Sequence, residues 1–595
     1  MHSDGKWGWT RRTAARAGLI GAAAVLHAFA LAAAPLRADG PSGEAAPAVS
    51  AAPPAFATPS PQERYRNAYR LIREAKAAES KGDDASALAR YEEARAFLQD
   101  ILSLAPGWNA EAVKARIEEC SRRLGASPRG ERRPALLCCG AQGTIFGSNY
   151  LLDTGTKRIV IDAGLFSEPE MMWHNFSFPY DAKTVDAAVI SHAHTDHLAK
   201  LPLLYKKGFK GHAYCSEPTR AMARTTFDIM NLLRDEVSVP YGKKDVDATL
   251  DGLRALTIGK WYGLGGGTRI RLHHTGHILG AIEAEIAFTW AGREYNLLYA
   301  CDTRNAYSPL TPPWTALKKA DWVIIESVYG NRDHGKFDQE FQKFTDLIND
   351  AIQSNGTILI PAYSIDRTQK MIYFFYQLHQ QRKLRRRIDI YVDSRIANRI
   401  TADHIDYWRY LGKDIQEIFK KGRNPFDFPG LHEGPPPKTQ KGAKVIIAPS
   451  AMCDEGTSIS KHVKRYVGDK KSSIIFTGFV LPESIAGKIL ARKESVVIDG
   501  DTYPVRCNAY KVSVFSGHAD RNEVLRWMKK FDSIGVALAV HGLPDGCAGL
   551  ARRIRDDLGV RAYVPRYLER VDLLDLLESP QKPLPEMPPE ERGGG

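Results

Sequence analysis

Apolar and polar positions follow two regimes along the 595 residues. From Pro61 to Leu124 the spacing is helical: Tyr69, Leu71 and Ile72 share a face, and Gly82-Asp-Asp84 breaks the run. A second helix is predicted over Ala87–Leu104, Pro106-Gly-Trp-Asn109 breaks again, and a third is predicted over Ala110–Leu124. From Leu136 onward, short apolar runs of strand length take over. They cover 136–140, 148–152, 158–164, 186–190 and 296–298. Four further runs at 357–361, 388–394, 444–453 and 473–478 alternate with helical stretches, which predicts a parallel α/β unit.

The ends of the chain read differently. Lys6, Arg11, Arg12 and Arg16 precede an apolar, alanine-rich run over 17–35, and small residues follow it. This is the layout of a bacterial-type export signal over 1–40, cleaved or kept as a membrane anchor through 17–35. Residues 41–60 are rich in Ala, Pro and Ser and read as a linker. The stretch 579–595, with its prolines, acids and closing glycines, reads as a disordered tail. A net charge of +13 favours polyanionic partners. The eight cysteines include no Cys-x-x-Cys pair, which argues against a disulfide framework and a structural zinc finger.

The densest chemistry is Ser191-His-Ala-His-Thr-Asp-His197. His192, His194, Asp196 and His197 place four potential metal ligands directly after an apolar strand, where open α/β sheets carry their sites. Imidazole nitrogen and carboxylate oxygen suit a borderline cation such as Zn²⁺. His192 and His194 fit one side of an extended loop, leaving Asp196 and His197 for a second metal.

His-x-His-x-Asp-His resembles the signature of the metallo-β-lactamase fold, and the rest of the chain resembles that family in order. The Asp162-Ala-Gly164 turn is similar to its first motif, with Asp162 implied to orient the metal loop rather than to ligate. Gly276-His-Ile-Leu-Gly280 is similar to its third, implying His277 as a ligand and leaving His273 and His274 aside. Tyr299-Ala-Cys-Asp302 is similar to its fourth, implying Asp302 as a bridge, with Cys301 where the family usually has glycine. Glu326 in Glu326-Ser-Val-Tyr-Gly330 resembles the start of the β-CASP insertion found in nucleases of this superfamily. Ser516-Gly-His-Ala-Asp520 and Val540-His-Gly542 resemble its later motifs, implying His518 and His541. The implied fold class is α/β: an αββα metallo-β-lactamase sandwich with an inserted β-CASP α/β domain, preceded by a short helical segment.

The expected division is a tetratricopeptide-like segment over 61–126, a lactamase first part over 133–328, a β-CASP domain over 329–480 and a lactamase second part over 481–573. More ligands than one zinc needs imply two Zn²⁺. One would be held by His192, His194 and His277, the other by Asp196, His197 and His541, with Asp302 shared. His518 is the candidate acid for the leaving oxygen, with Glu326 hydrogen-bonded to it, and Arg367 and Ser450 are candidate phosphate contacts. The implied activity is a zinc-dependent phosphodiester hydrolase, an endoribonuclease with an exonuclease mode left open, resembling ribonuclease J and the cleavage-and-polyadenylation endonuclease. Histidine at position 541 resembles the RNA-acting members.

Two departures keep an exported phosphodiesterase on a non-RNA substrate in view. Asp366 stands where the family usually has glycine, and Ser450-Ala-Met-Cys-Asp-Glu-Gly-Thr457 lacks the Gly-Gly-Arg stretch. A non-catalytic scaffold is the third reading. A protein partner at 61–126, membrane association through 17–35 and a homodimer stay open.

Overall fold

A computed structural model describes residues 59–125, 133–232, 239–305, 308–478, 480–512 and 515–578. The export segment, all but the last two linker residues and the tail lie outside the described residues. No helix among the described residues is long and apolar enough to cross a membrane.

The helical segment begins at Ser60, which accepts a hydrogen bond from Glu63 N at 3.2 Å while its own N–H reaches Glu63 at 2.8 Å. This reciprocal cap, with Pro61 in the first turn, starts helix Pro61–Glu79. Helices Asp84–Leu104 and Ala110–Gly125 follow, matching the predicted breaks. Ala68, Leu71, Ile72 and Ala75 are buried in one core with Tyr91, Ala94, Leu98, Ile101, Val113 and Cys120. The tetratricopeptide likeness gains no further support. The catalytic body covers the face that a lone helical unit leaves open. Phe97 is fully buried with its ring 5.1 Å from that of Trp173. Buried Glu93 accepts from His174 Nδ1 at 2.7 Å and from the Tyr567 hydroxyl at 3.3 Å. Lys200 Nζ donates to the His174 carbonyl at 2.8 Å.

Two seven-stranded sheets form the body. The first runs, edge to edge, Arg570–Asp572, Ala135–Gly140, Asn149–Asp153, Arg158–Ala163, Ala187–Val189, His212–Cys215 and Leu253–Ala255. The second runs Arg561–Tyr563, Ser533–Val540, Lys319–Glu326, Arg293–Ala300, Ile282–Trp290, Thr268–His274 and Trp261–Gly265. Successive side chains in a strand point to opposite faces. Leu136, Cys138, Tyr150, Leu152, Ile159 and Ile161 therefore meet Ile270, Leu272, Ile286, Phe288 and Trp322 in the core between the sheets. Leu137, Cys139, Leu151 and Val160, the alternate residues, belong to the core on the outer face.

The inserted domain is a wholly parallel six-stranded sheet, ordered Leu431–Glu433, Asp389–Val392, Lys444–Ala448, Thr357–Pro361, Ser473–Phe476 and Asn508–Lys511. Its central strands are fully buried apolar runs, as parallel sheets require. The boundary expected at 480 is corrected here. Asn508–Lys511 pairs with Ser473–Phe476, and the hairpin Ser495–Ile498/Asp501–Pro504 buries Val496 and Ile498 in the same core as Ile446 and Ile474. The insertion thus extends to about residue 512, and only the chain beyond it belongs to the lactamase body. Asn-Ala-Tyr-Lys is a half-exposed edge strand with no apolar run to announce it.

Phe97→Ala removes a buried aromatic from the helical-segment interface, at a cost of about 3–5 kcal/mol. The expected outcome is faster loss of residues 59–125 in limited trypsin digestion, with the body left intact. Equal digestion rates would mean that the segment is not held by this contact.

Candidate metal centre

Strand Arg158–Ala163 delivers Asp162, which is fully buried and takes positive φ. Its carboxylate accepts from Ser191 N at 2.7 Å, Ser191 Oγ at 2.7 Å, His197 Nδ1 at 2.7 Å and the Tyr299 hydroxyl at 2.6 Å. It therefore shapes the 191–197 loop without belonging to the ligand cluster. Gly164 is required by the same approach, because a Cβ there would lie 1.6 Å from the Asp196 carbonyl oxygen.

His192, His194, His277 and Asp302 form one group of converging donors, and Asp196, His197 and His541 form another. The atoms within each group lie within 4.8 Å of one another. Asp302 faces both groups. Its Oδ2 is 3.5 Å from His192 Nε2 and 3.4 Å from His277 Nε2, while Oδ1 is 3.3 Å from His197 Nε2 and 3.4 Å from His541 Nε2. Asp302 and His541 each follow a strand of the second sheet with φ near +50°, a costly conformation that turns the side chain into the site.

The residues fit a metal. His192, His197 and His277 each engage a partner through Nδ1: Ser191 Oγ at 3.0 Å, Asp162 at 2.7 Å and the Gly517 carbonyl at 3.3 Å. That leaves Nε2 of each facing the cluster, the arrangement that protein ligands use toward zinc. His197 Nε2 and His541 Nε2 stand 3.1 Å apart, and His192 Nε2 and His194 Nδ1 3.0 Å apart. A cation between such nitrogens relieves the repulsion of their lone pairs. Burial pushes His192, His194 and His277 below the usual histidine range, towards the neutral form that ligates. Burial also works against the charge of Asp302, but His541 and His197 outweigh it and hold the carboxyl well below its usual range.

His518 Nδ1 contacts Glu326 Oε2 at 2.7 Å, and the His518 ring lies 4.7 Å from that of His277. Buried Glu326 is fixed in turn by Thr303, whose N–H and hydroxyl both donate to its other oxygen. Burial disfavours a charged His518, yet Glu326 outweighs it and raises the imidazolium to about 9. The His518 carbonyl faces His334 Nε2 at 2.9 Å.

Other expected residues lie in the inserted domain. Arg367 opens helix Arg367–Gln380, with its guanidinium over the Tyr363 ring at 5.2 Å. Ser450 donates to Asp454, so its hydroxyl is already engaged within its own loop. Burial lifts Asp454 to about 6. His273 pairs with Glu285 at 2.8 Å, away from the cluster. Cys301 is buried with Sγ 3.7 Å from Asp302 Oδ1, and burial pushes its thiol well up. Ser191, Tyr299, Thr303 and His334 were not expected. Tyr299 looks like any strand aromatic, and only its position three residues before Asp302 could have marked it.

Comparisons with known proteins agree with this geometry. The metallo-β-lactamase superfamily model matches residues 143–284, the β-CASP domain model 368–489, and the model of a Zn-dependent metallo-hydrolase RNA specificity domain 502–565. Ribonuclease TTHA0252 of Thermus thermophilus is 30% identical over 397 residues, which is 66% of this chain and 89% of that protein. The transcription termination factor FttA of Methanocaldococcus jannaschii is 27% identical over 486 residues, covering 76% and 75% of the two chains. The three models follow one another along the chain in the order in which the sandwich, the inserted sheet and the returning strands occur. This order and the likeness to the Thermus protein show that the chain belongs to the β-CASP metallo-hydrolases of the metallo-β-lactamase superfamily.

Proposed function

We propose that this protein is a two-zinc endoribonuclease. The observation that carries the reading is Asp302, one oxygen of which faces each ligand group, with the His518–Glu326 pair on the same carboxylate. The likeness to a protein named ribonuclease and to the RNA specificity domain model supports RNA as substrate. His192, His194 and His277 would hold one zinc, and Asp196, His197 and His541 the other. Bound there, zinc supplies Lewis acidity for phosphoryl oxygens and acidifies water. His518 gives its proton to the leaving oxygen, and Glu326 keeps that proton in place through neutral pH. Asp162 and Thr303 fix the loops that carry the ligands and Glu326. Arg367, at a helix N-terminus, offers a charge to the strand's backbone.

A second reading, a hydrolase of small phosphodiesters, is favoured by one contact. Asp454 occupies the Ser450 hydroxyl and adds a carboxylate to the expected phosphate-binding loop. The basic and apolar run over 1–40 supports an exported or anchored enzyme under either reading, which cell fractionation tests.

Zinc-loaded protein is expected to cut single-stranded RNA, to stop when the metal is chelated and to resume when zinc is restored. Metal analysis is expected to find about two zinc ions per chain. Cleavage of a small diester but never of RNA by a protein holding both ions would replace this reading by the second. Asp302→Ala should reduce bound zinc and abolish cutting. His518→Ala should keep the zinc and slow cutting by about 10²–10⁴-fold; loss of zinc in this variant would instead make His518 a ligand. Glu326→Gln removes the charge that raises His518. The alkaline limb of the pH–rate profile should therefore move to lower pH, and an unmoved limb would assign the acid elsewhere.

A further inference from the structure

On the inserted domain lies an ion pair that the proposed mechanism does not use. Lys370 Nζ sits 2.5 Å from Asp366 Oδ2, and the two residues are only 2% and 6% exposed. Among the described residues, Asp366 Oδ1 has no hydrogen-bond partner, and neither does Lys370 Nζ beyond this ion pair. An ammonium carries three donors, so two are unmet in a place where leaving them unmet is costly. Asp366 is itself held against its preferences. It takes φ +68° and precedes helix Arg367–Gln380 without capping it, because its carboxylate turns to Lys370.

Neighbouring groups show what the pair is close enough to act on. The charge of Lys370 acts on His277 and on Arg304 of the lactamase body, and that of Asp366 acts on His194. From its own domain the pair is faced by Arg367 and by His404, whose Nδ1 donates to the Ile400 carbonyl at 2.7 Å and which burial keeps neutral. Arg304 and Arg367 thus add their charges to that of Lys370, against the one carboxylate that pairs with it.

We propose that Lys370 grips the substrate: its ammonium takes a phosphodiester oxygen of the RNA strand beside His277, and Asp366 holds it when no strand is bound. The assignment rests on the ribonuclease reading. Phosphate oxygens accept the donors that Asp366 alone leaves idle. Asp366 then acts as a competitor for Lys370, and weakening it strengthens RNA binding.

The test is RNA affinity, read by fluorescence anisotropy with a labelled single strand on zinc-loaded full-length protein. His518→Ala serves as the parent so that cutting is slow on the timescale of the measurement, and zinc content and melting temperature are followed in parallel. Lys370→Met should weaken binding roughly tenfold and lower the salt slope by about one. Asp366→Gly, which suits the positive φ, should tighten binding. A pair that only fastens the fold predicts the opposite for Asp366→Gly: lower melting and weaker binding. The proposal fails if Lys370→Met binds within about twofold of the parent at an unchanged salt slope, or if Asp366→Gly binds more weakly. Should Lys370→Met lose its zinc, the direction of Asp366→Gly decides alone. A wild type that cuts RNA while Lys370→Met binds like its parent loses only the grip. A wild type that neither cuts nor binds RNA loses the ribonuclease reading with it.

Discussion

Buried negative charge governs this structure. Buried Asp162 and Asp302, with half-buried Asp196, lie among His192, His194, His197, His277 and His541, where an unpaired carboxylate is costly. Asp162 resolves its charge with four hydrogen bonds, and by doing so sets the loop that carries four ligands. Asp302 and Asp196 face mainly histidine nitrogens, several of them held in a neutral, lone-pair-inward orientation by Nδ1 contacts. The fold tolerates this arrangement because a divalent cation completes it, so metal affinity and correct folding of the site are one energetic problem.

The two-sheet sandwich provides the rigidity such a site needs. The converging donors come from the ends of strands in both sheets, and Trp322, Phe288 and Tyr150 pack the space between. The inserted domain contributes no residue to the ligand groups. It carries Lys370 and Asp366, whose charges reach His277 and His194. The helical segment reaches the centre indirectly: Glu93 binds His174, and Lys200, two residues past the metal-loop helix, donates to the His174 carbonyl.

The converging donors were legible in the sequence because each sits where an apolar strand ends in a polar turn. His192 to His197, Asp302 and His541 all have this setting, and their order matched a familiar pattern. Residues acting through others were not legible. Tyr299 and Ser191 matter only because Asp162, distant in sequence, lies beside them, and Glu93 looks like any charge on a helix until His174 and Tyr567 close over it. The strands Leu431–Glu433 and Asn508–Lys511 were missed for another reason. Each is a short edge strand whose exposed residues carry no apolar run.

The spread of the ligands along the chain has a consequence for synthesis. His197 and His541 face each other across 3.1 Å but lie 344 residues apart in sequence. At about 5–20 residues per second, the second histidine leaves the ribosome on the order of tens of seconds after the first. Neither triad is complete until His277 has been made, from then until His541 the nascent chain holds one and lacks the other, and His518 is itself among the late arrivals. The full set of converging donors can therefore assemble only after nearly the whole length of the polypeptide has been made.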